Sequence, residues 1–229
     1  MKRPFAGHPH QICENSVRLP ANERFADFAS HFPAGADRGE PWKDDVLWRA
    51  TGYADFSGRW AGATFQRGLY RVVDANTGPK LLGLTAEAFP DFAQRVHPFG
   101  FDWMGRALAL DVRRVSKSEP LILLLEPGTG QALEIPHSFE SFHRQLHELR
   151  EPALAGSFFD AWSGANRDAL PISTSQCVGY EVPLFLGGKD TVENLAVQDL
   201  DVYWSLSGQL YRGVRNLPPG AAIKGIVIE

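Results

Sequence analysis

The chain has 229 residues, 44% of them hydrophobic and 22% charged, with six Trp and fifteen Phe. That composition belongs to a globular protein with a sizeable core, long enough for one large domain or one domain with an appendage. A formal net charge of −4 speaks against a nucleic-acid binder, whose affinity rests on clustered Lys and Arg, and only two cysteines, Cys13 and Cys177, read as free thiols in a reducing cytosol.

Residues 1–18 read as a loose lead-in. Lys2 and Arg3 are followed by Pro4, Gly7 and Pro9 instead of an apolar stretch, so no signal peptide is expected. No apolar run approaches the ~18–20 residues that span a bilayer, and the expectation is a cytoplasmic protein with no membrane contact. Leu19 to Phe32 predicts a helix, with Phe25, Phe28 and Phe32 on one face and Pro33 and Gly35 ending it. Ala34 to Asp45 reads as a surface loop. From Val46 to Asp74, Trp48, Phe56, Trp60, Phe65, Leu69, Val72 and Val73 alternate with Gly52, Gly58, Gly62 and Gly68, a texture that predicts short strands and tight turns. Asn76-Thr-Gly-Pro reads as a turn, and Thr85 as the cap of a short helix through Val96.

Two apolar runs of strand length follow, Ala107 to Val112 and Leu121 to Leu125, then the turn Glu126-Pro-Gly-Thr-Gly and a strand from Gln131 to Ile135. Ser138 caps a predicted helix from Phe139 to Leu149. Ser141 stands where a capping box has Glu, so a simple cap is expected. Pro152 to Trp162 predicts a second helix, Ser173 to Tyr180 a polar connection, and Val182 to Leu186 a strand closed by Gly187-Gly188. Asp199 caps a helix through about Tyr211, Leu217-Pro-Pro-Gly stops it, and Ile223 to Ile228 is a last strand. Hairpins mix with helices without a βαβ rhythm, which makes the class α+β. Phe101, Trp103, Phe139 and Phe142 are expected to be buried.

Chemistry-bearing patterns are weak. His143 and His147 stand at i and i+4, a spacing that can hold zinc, but Arg144 follows the first His where a metalloprotease has its Glu base. No metal is expected there or at His8-Pro-His10. Gly187-Gly188-Lys189-Asp190 lacks the first Gly of a phosphate loop and has Asp where Ser or Thr would meet magnesium. Cys177 has no base nearby in sequence, and no serine sits in a G-x-S-x-G elbow. Asp102 reads as a buried turn cap or as the partner of Arg106. Neither a catalytic residue nor a cofactor is expected. The charge pattern says more: Glu181, Asp190, Glu193, Asp199 and Asp201 against Lys189 give this stretch the net charge of the whole chain. The ordinary meaning of such a run is a solvated face; the alternative is a docking surface for a basic partner. Asp44-Asp45 is a second exposed acidic pair.

At FGFDWMGRALALD (99–111), LLLEPGTGQALEIPHSFESFH (123–143) and PLFLGGKDTVENLAVQDLDVYWSLSGQLYRGVRNLPPG (183–220), the chain resembles SUKH-type bacterial immunity proteins, related to yeast cell-wall regulators, and their type VI secretion relatives. The resemblance implies a central, mostly antiparallel sheet flanked by helices and no catalysis. It also implies a partner: a cognate antibacterial toxin, such as a secreted nuclease and hence basic, that the chain occludes. Residues 19–96 are similar, loosely, to a GAD-like segment, and 97–229 correspond to the SUKH-like domain. A non-toxin scaffold or regulatory binding module is the alternative. The partner-facing candidates are Asp190, Glu193, Asp201, Asp44 and Asp45, and no direct contact with nucleic acid is expected.

Overall fold

A computed structural model describes residues 21–218, which form an α+β fold around a six-stranded antiparallel sheet. Its strands follow chain order: β1 (Thr64–Phe65), β2 (Tyr70–Val72), β3 (Val96–Asp102), β4 (Ala107–Ser116), β5 (Glu119–Glu126) and β6 (Gln131–Ile135). The central strands are apolar on both faces, as a sheet covered on both sides requires. The two-residue period of β4 and β5 divides them between two cores. Leu108, Leu110, Ile122 and Leu124 enter one, while Ala107, Ala109, Leu123 and Leu125 enter the other.

The first core is built from rings. Phe25 separates α1 (Ala21–Arg24) from α2 (Ala26–His31), Phe28 lies on α2 and Phe32 follows it; all three are buried in one cluster with Phe56, Trp60 and Phe65. Phe139, Phe142 and His143 on α6 (Phe139–Arg144) close this layer, with Phe56 and His143 ring centroids 4.0 Å apart. The opposite face is covered by α5 (Thr77–Ala88) and α9 (Leu200–Val214), which pack on each other and bring Leu81, Phe89, Tyr203 and Trp204 onto Phe101 and Leu125. A second sheet pairs β7 (Gln176–Tyr180) with β8 (Leu195–Asp199), antiparallel.

The three strands predicted around the EPGTG turn are consecutive and antiparallel, and Phe101, Trp103, Phe139 and Phe142 are buried. The β4–β5 hairpin is longer than the sequence suggests. Its strands run on to Ser116 and Glu119, joined by Lys117-Ser118 with φ of 50° and 66°, a turn usually signalled by Asn or Gly.

Elsewhere the structure corrects the reading. Val46 to Asp74 holds mainly helices, α3 (Asp45–Arg49) and α4 (Tyr53–Trp60), with strand only at β1 and β2. Tyr53, Phe56, Ser57 and Trp60 are the buried positions of α4, a spacing of one helix face, and Gly58 lies on the opposite, open side. The Asn76-Thr-Gly-Pro turn is the start of α5, because proline in a first turn loses no helical hydrogen bond. Asp74 Oδ1 accepts from the Thr77 backbone N at 2.8 Å, and Thr85 is buried inside the helix, donating to Leu82 O. β3 carries no strand signal in the sequence, since Pro98 and Gly100 interrupt it; both sit at a bulge in its pairing with β4. Ser173 to Tyr180 contains β7, not only a connection. Val182 to Leu186 forms a 3-10 turn (Leu184–Leu186), consistent with Pro183 lacking a ladder donor.

The helix after Ser138 ends at Arg144, and Ser141 Oγ accepts from Ser138 N at 3.0 Å, so the cap is reciprocal after all. The following helix is two, α7 (Arg150–Leu154) and α8 (Gly156–Ala165), broken at Ala155 with φ of 49°. Residues 1–18, the first two residues of the predicted Leu19 helix and the Ile223–Ile228 strand lie outside the described residues.

Candidate functional site

The motif blocks that stand apart in sequence are one packed unit in space. The EPGTG turn lies under three tyrosines from the C-terminal part: a Cβ on Gly128 would come within 2.5 Å of Tyr203 Oη and 2.6 Å of Tyr180, and one on Gly130 within 2.3 Å of Tyr211. Leu184 N donates to Gly128 O at 3.0 Å. Glycine is required at both positions by this close approach, and at Gly130 also by a φ of 68°. Trp204 Nε1 donates to Gly105 O at 2.8 Å and Val178 N to Trp103 O at 2.8 Å, tying α9 and β7 to the loop between β3 and β4.

That loop is held by a buried ion pair. Asp102 Oδ2 accepts from Arg106 Nε at 2.7 Å, while Oδ1 accepts from the backbone N of Met104 and of Arg106 at 3.0 and 2.9 Å. Both expected roles of Asp102, turn cap and arginine partner, are therefore met. Burial raises the Asp102 carboxyl, and the Arg106 charge and hydrogen bonds pull against it. Arg71, fully buried beside it, donates to Ser173 O, Gln176 O and Asp102 O with its guanidinium 4.4 Å from the Phe101 ring. Burial lowers Arg71 to about 10, which leaves it charged at neutral pH.

The groups that elsewhere carry chemistry are here part of the core. Cys177 is a buried free thiol pushed up to about 12 by burial, the opposite of an activated nucleophile. His143 is buried, brought down to about 3 by desolvation, and held by Phe139 O at 2.8 Å and Tyr70 Oη at 2.9 Å. It does not share a face with His147, because α6 ends at Arg144 and the chain turns before reaching His147.

The five acidic candidates lie on different elements. Asp190 is exposed in the loop after Gly188, where its Oδ1 accepts from Tyr180 Oη at 2.7 Å. Glu193 is exposed in the next turn, and hydrogen bonds from its own backbone and from Thr191 hold its carboxyl below the usual range. Asp201 is exposed in the first turn of α9 and lines a cleft of about 190 Å³ with Lys80, Thr77 and Ser175. Asn194 and Asp199 serve their own backbone, as expected. Asn194 bridges Val182 N, Val182 O and Lys189 O, and Asp199 accepts from Asp201 N and Val202 N. Gly188 belongs to the same clasp, since a Cβ there would lie 1.8 Å from Val182 O. The glycine pair is thus a structural turn.

Asp44 and Asp45 sit at the start of α3, which packs on β3 and β4. Asp44 is largely committed: it caps the helix through Val46 N and Leu47 N and meets His97 Nδ1 at 2.9 Å. Burial raises its carboxyl, but these hydrogen bonds and the His97 charge outweigh that and leave it below the usual range. Asp45 is exposed. Four exposed or nearly exposed apolar side chains, Val182, Val197, Val202 and Leu206, flank the acids of the C-terminal part; nothing in their sequence spacing marked them.

Residues 156–211, from α8 to near the end of α9, match the family model described as T6SS immunity protein Tdi1, C-terminal. The match supports a type VI secretion immunity protein. It covers roughly a quarter of the chain and holds the acidic stretch and the small sheet. Over a wider span the fold is similar to the crystal structure of Atu4351 from Agrobacterium tumefaciens. The two share 18% identity with a TM-score of 0.55, over 81% of this chain and 88% of that one. A search of curated proteins finds no match. No helix among the described residues is long and apolar enough to cross a membrane.

Proposed function

We propose that this chain is an immunity protein that binds a cognate antibacterial toxin and neutralises it by occlusion, without catalysis. The observation that carries the reading is the coincidence of two features in one segment. The part of the chain matched by the Tdi1 C-terminal family model contains the stretch from Glu181 to Asp201, whose acids against Lys189 give a net charge equal to that of the whole chain, −4. Exposed Asp190 and Glu193 lie in the turns before β8 and exposed Asp201 just after it, with the exposed apolar side chains Val197 on β8 and Val202 and Leu206 on α9, and we take these as an acidic surface with an apolar component. Such a surface suits a basic partner, and a nuclease toxin is basic because it binds phosphate. Asp45 extends the proposed surface onto α3, and Asp44 contributes through the helix it caps. The SUKH-type assignment of 97–229 and the GAD-like assignment of 19–96 belong to the same reading. So does action in the cytoplasm, where the free thiol of Cys177 is at home.

Occlusion is favoured over chemistry by the state of the reactive groups: His143 and Cys177 are sealed in the core and Asp102 is spent on Arg106. The test is a binding experiment between the purified full chain and the product of the neighbouring gene. A stable complex that abolishes the toxicity of that product supports the proposal. A complex without loss of toxicity would favour a scaffold or regulatory module instead.

A further inference from the structure

The fold assembles a cluster that neither the charge pattern nor the histidine spacing announces. Asp27 and His31 stand one turn apart on α2, and His147 comes from the turn after α6, more than a hundred residues later. One ligand atom from each lies within 4.8 Å of the other two. The His31 and His147 rings are stacked, centroids 4.5 Å apart and 14° from parallel, so the half-exposed His31 ring turns out of the stack for both to face one ion. The Asp27 carboxylate reaches both, with Oδ2 3.0 Å from His147 Nδ1 and Oδ1 3.6 Å from His31 Nδ1. His147 Nδ1 is shielded from solvent and makes no hydrogen bond, because Asp27 Oδ2 lies outside hydrogen-bonding geometry.

We infer that Asp27, His31 and His147 form a binding site for a divalent cation of the zinc class, one that staples α2 to the turn after α6. Two imidazoles and one carboxylate are the donor set that zinc takes with three protein ligands and an open position for water. Calcium and magnesium, which want oxygen throughout, are poorly served by it. The lone pair of His147 Nδ1 has no competing hydrogen bond to surrender. On the far side of that ring Glu148 Oε1 lies 3.6 Å from Nε2, an ion-pair contact too long for a hydrogen bond. His31 Nδ1 exchanges its contacts with Ser30 Oγ (3.1 Å) and Asp27 O (3.0 Å) for the metal. Asp27 and His31 are about half exposed and His147 a third, so the ion enters from solvent without opening the core.

The test is calorimetric titration of zinc chloride into the full chain after dialysis against a chelator, with thermal melts alongside. The expected result is one saturable site per chain and a melting temperature raised by about 5–10 °C at a hundredfold excess over Kd. His31→Gln and His147→Gln, whose circular dichroism should match the parent protein, each weaken that site at least tenfold. His137→Gln leaves it unchanged. Absence of a saturable site, or one that persists in both His31→Gln and His147→Gln, overturns the inference.

Discussion

Replacing Arg106 by Met strips the buried Asp102 carboxylate of its counter-charge. The arginine is 7% exposed and donates to Asp102 Oδ2 through Nε, with Nη2 also 2.6 Å away, so no water can take its place cheaply. Breaking a buried pair from one side costs about 3–5 kcal/mol. With a urea m-value of about 2–3 kcal/mol/M, the unfolding midpoint should fall by about 1–2.5 M. Burial at Asp102 is then opposed only by Arg71 and the backbone donors, so its folded pKa rises further above the unfolded value. A carboxyl raised in this way takes up a proton on folding. Its contribution is greatest at low pH and lost as pH rises through the folded pKa, so the Arg106→Met deficit should be smaller at pH 5 than at pH 8. Asp102→Asn with Arg106→Met removes both charges and should cost less than the sum of the two single changes by about 1–3 kcal/mol. Denaturant unfolding of the four proteins measures this coupling. Additivity within about 0.5 kcal/mol would show that the two side chains do not depend on each other, and the account of the β3–β4 loop would fail.

Three further outcomes follow from the geometry. His143 sits near 3 in the fold against about 6.5 unfolded, so stability present above pH 6.5 is lost as pH falls toward 3. By pH 5 this amounts to about 2 kcal/mol, and His143→Gln, which cannot titrate, should show a correspondingly shallower pH slope; identical slopes would mean the ring is not neutral in the core. Trp103→Ala removes a buried indole whose Nε1 donates to Leu154 O at 2.9 Å, and should cost about 3–5 kcal/mol, lowering the melting temperature by about 6–20 °C; a parental melting temperature would show that the ring is dispensable. Glu193→Lys with Asp201→Lys should slow toxin association at low salt with little effect on stability, since both carboxylates are exposed. Stopped-flow association rates equal to the parent's would move the interface elsewhere.

The parts of the fold legible in the sequence are those where hydrophobic period, breaker and cap agree. β4, β5 and β6 have apolar or alternating runs between turns, and α9 has Asp199 at its start. Where those signals conflict, the sequence misleads. The glycines among the rings of α4 suggest strands, because a glycine on the open side of a helix looks the same as one in a turn. Pro98 and Gly100 hide β3, whose bulge accommodates both. Among the acids, the backbone roles of Asn194 and Asp199 could be read from position, but the capture of Asp44 by His97 joins residues 53 apart. The Asp27–His31–His147 cluster depends on where α6 ends, and nothing in the HRQLH spacing reports that the helix stops before its second histidine.

The central claim is stoichiometric neutralisation, and the most direct test is to titrate the purified chain into a fixed amount of the cognate toxin while following toxin activity. Occlusion predicts a linear fall to a sharp end point at a fixed molar ratio, independent of incubation time, with both proteins recovered intact in one complex. Activity lost progressively at ratios far below that end point, as turnover would cause, would contradict it.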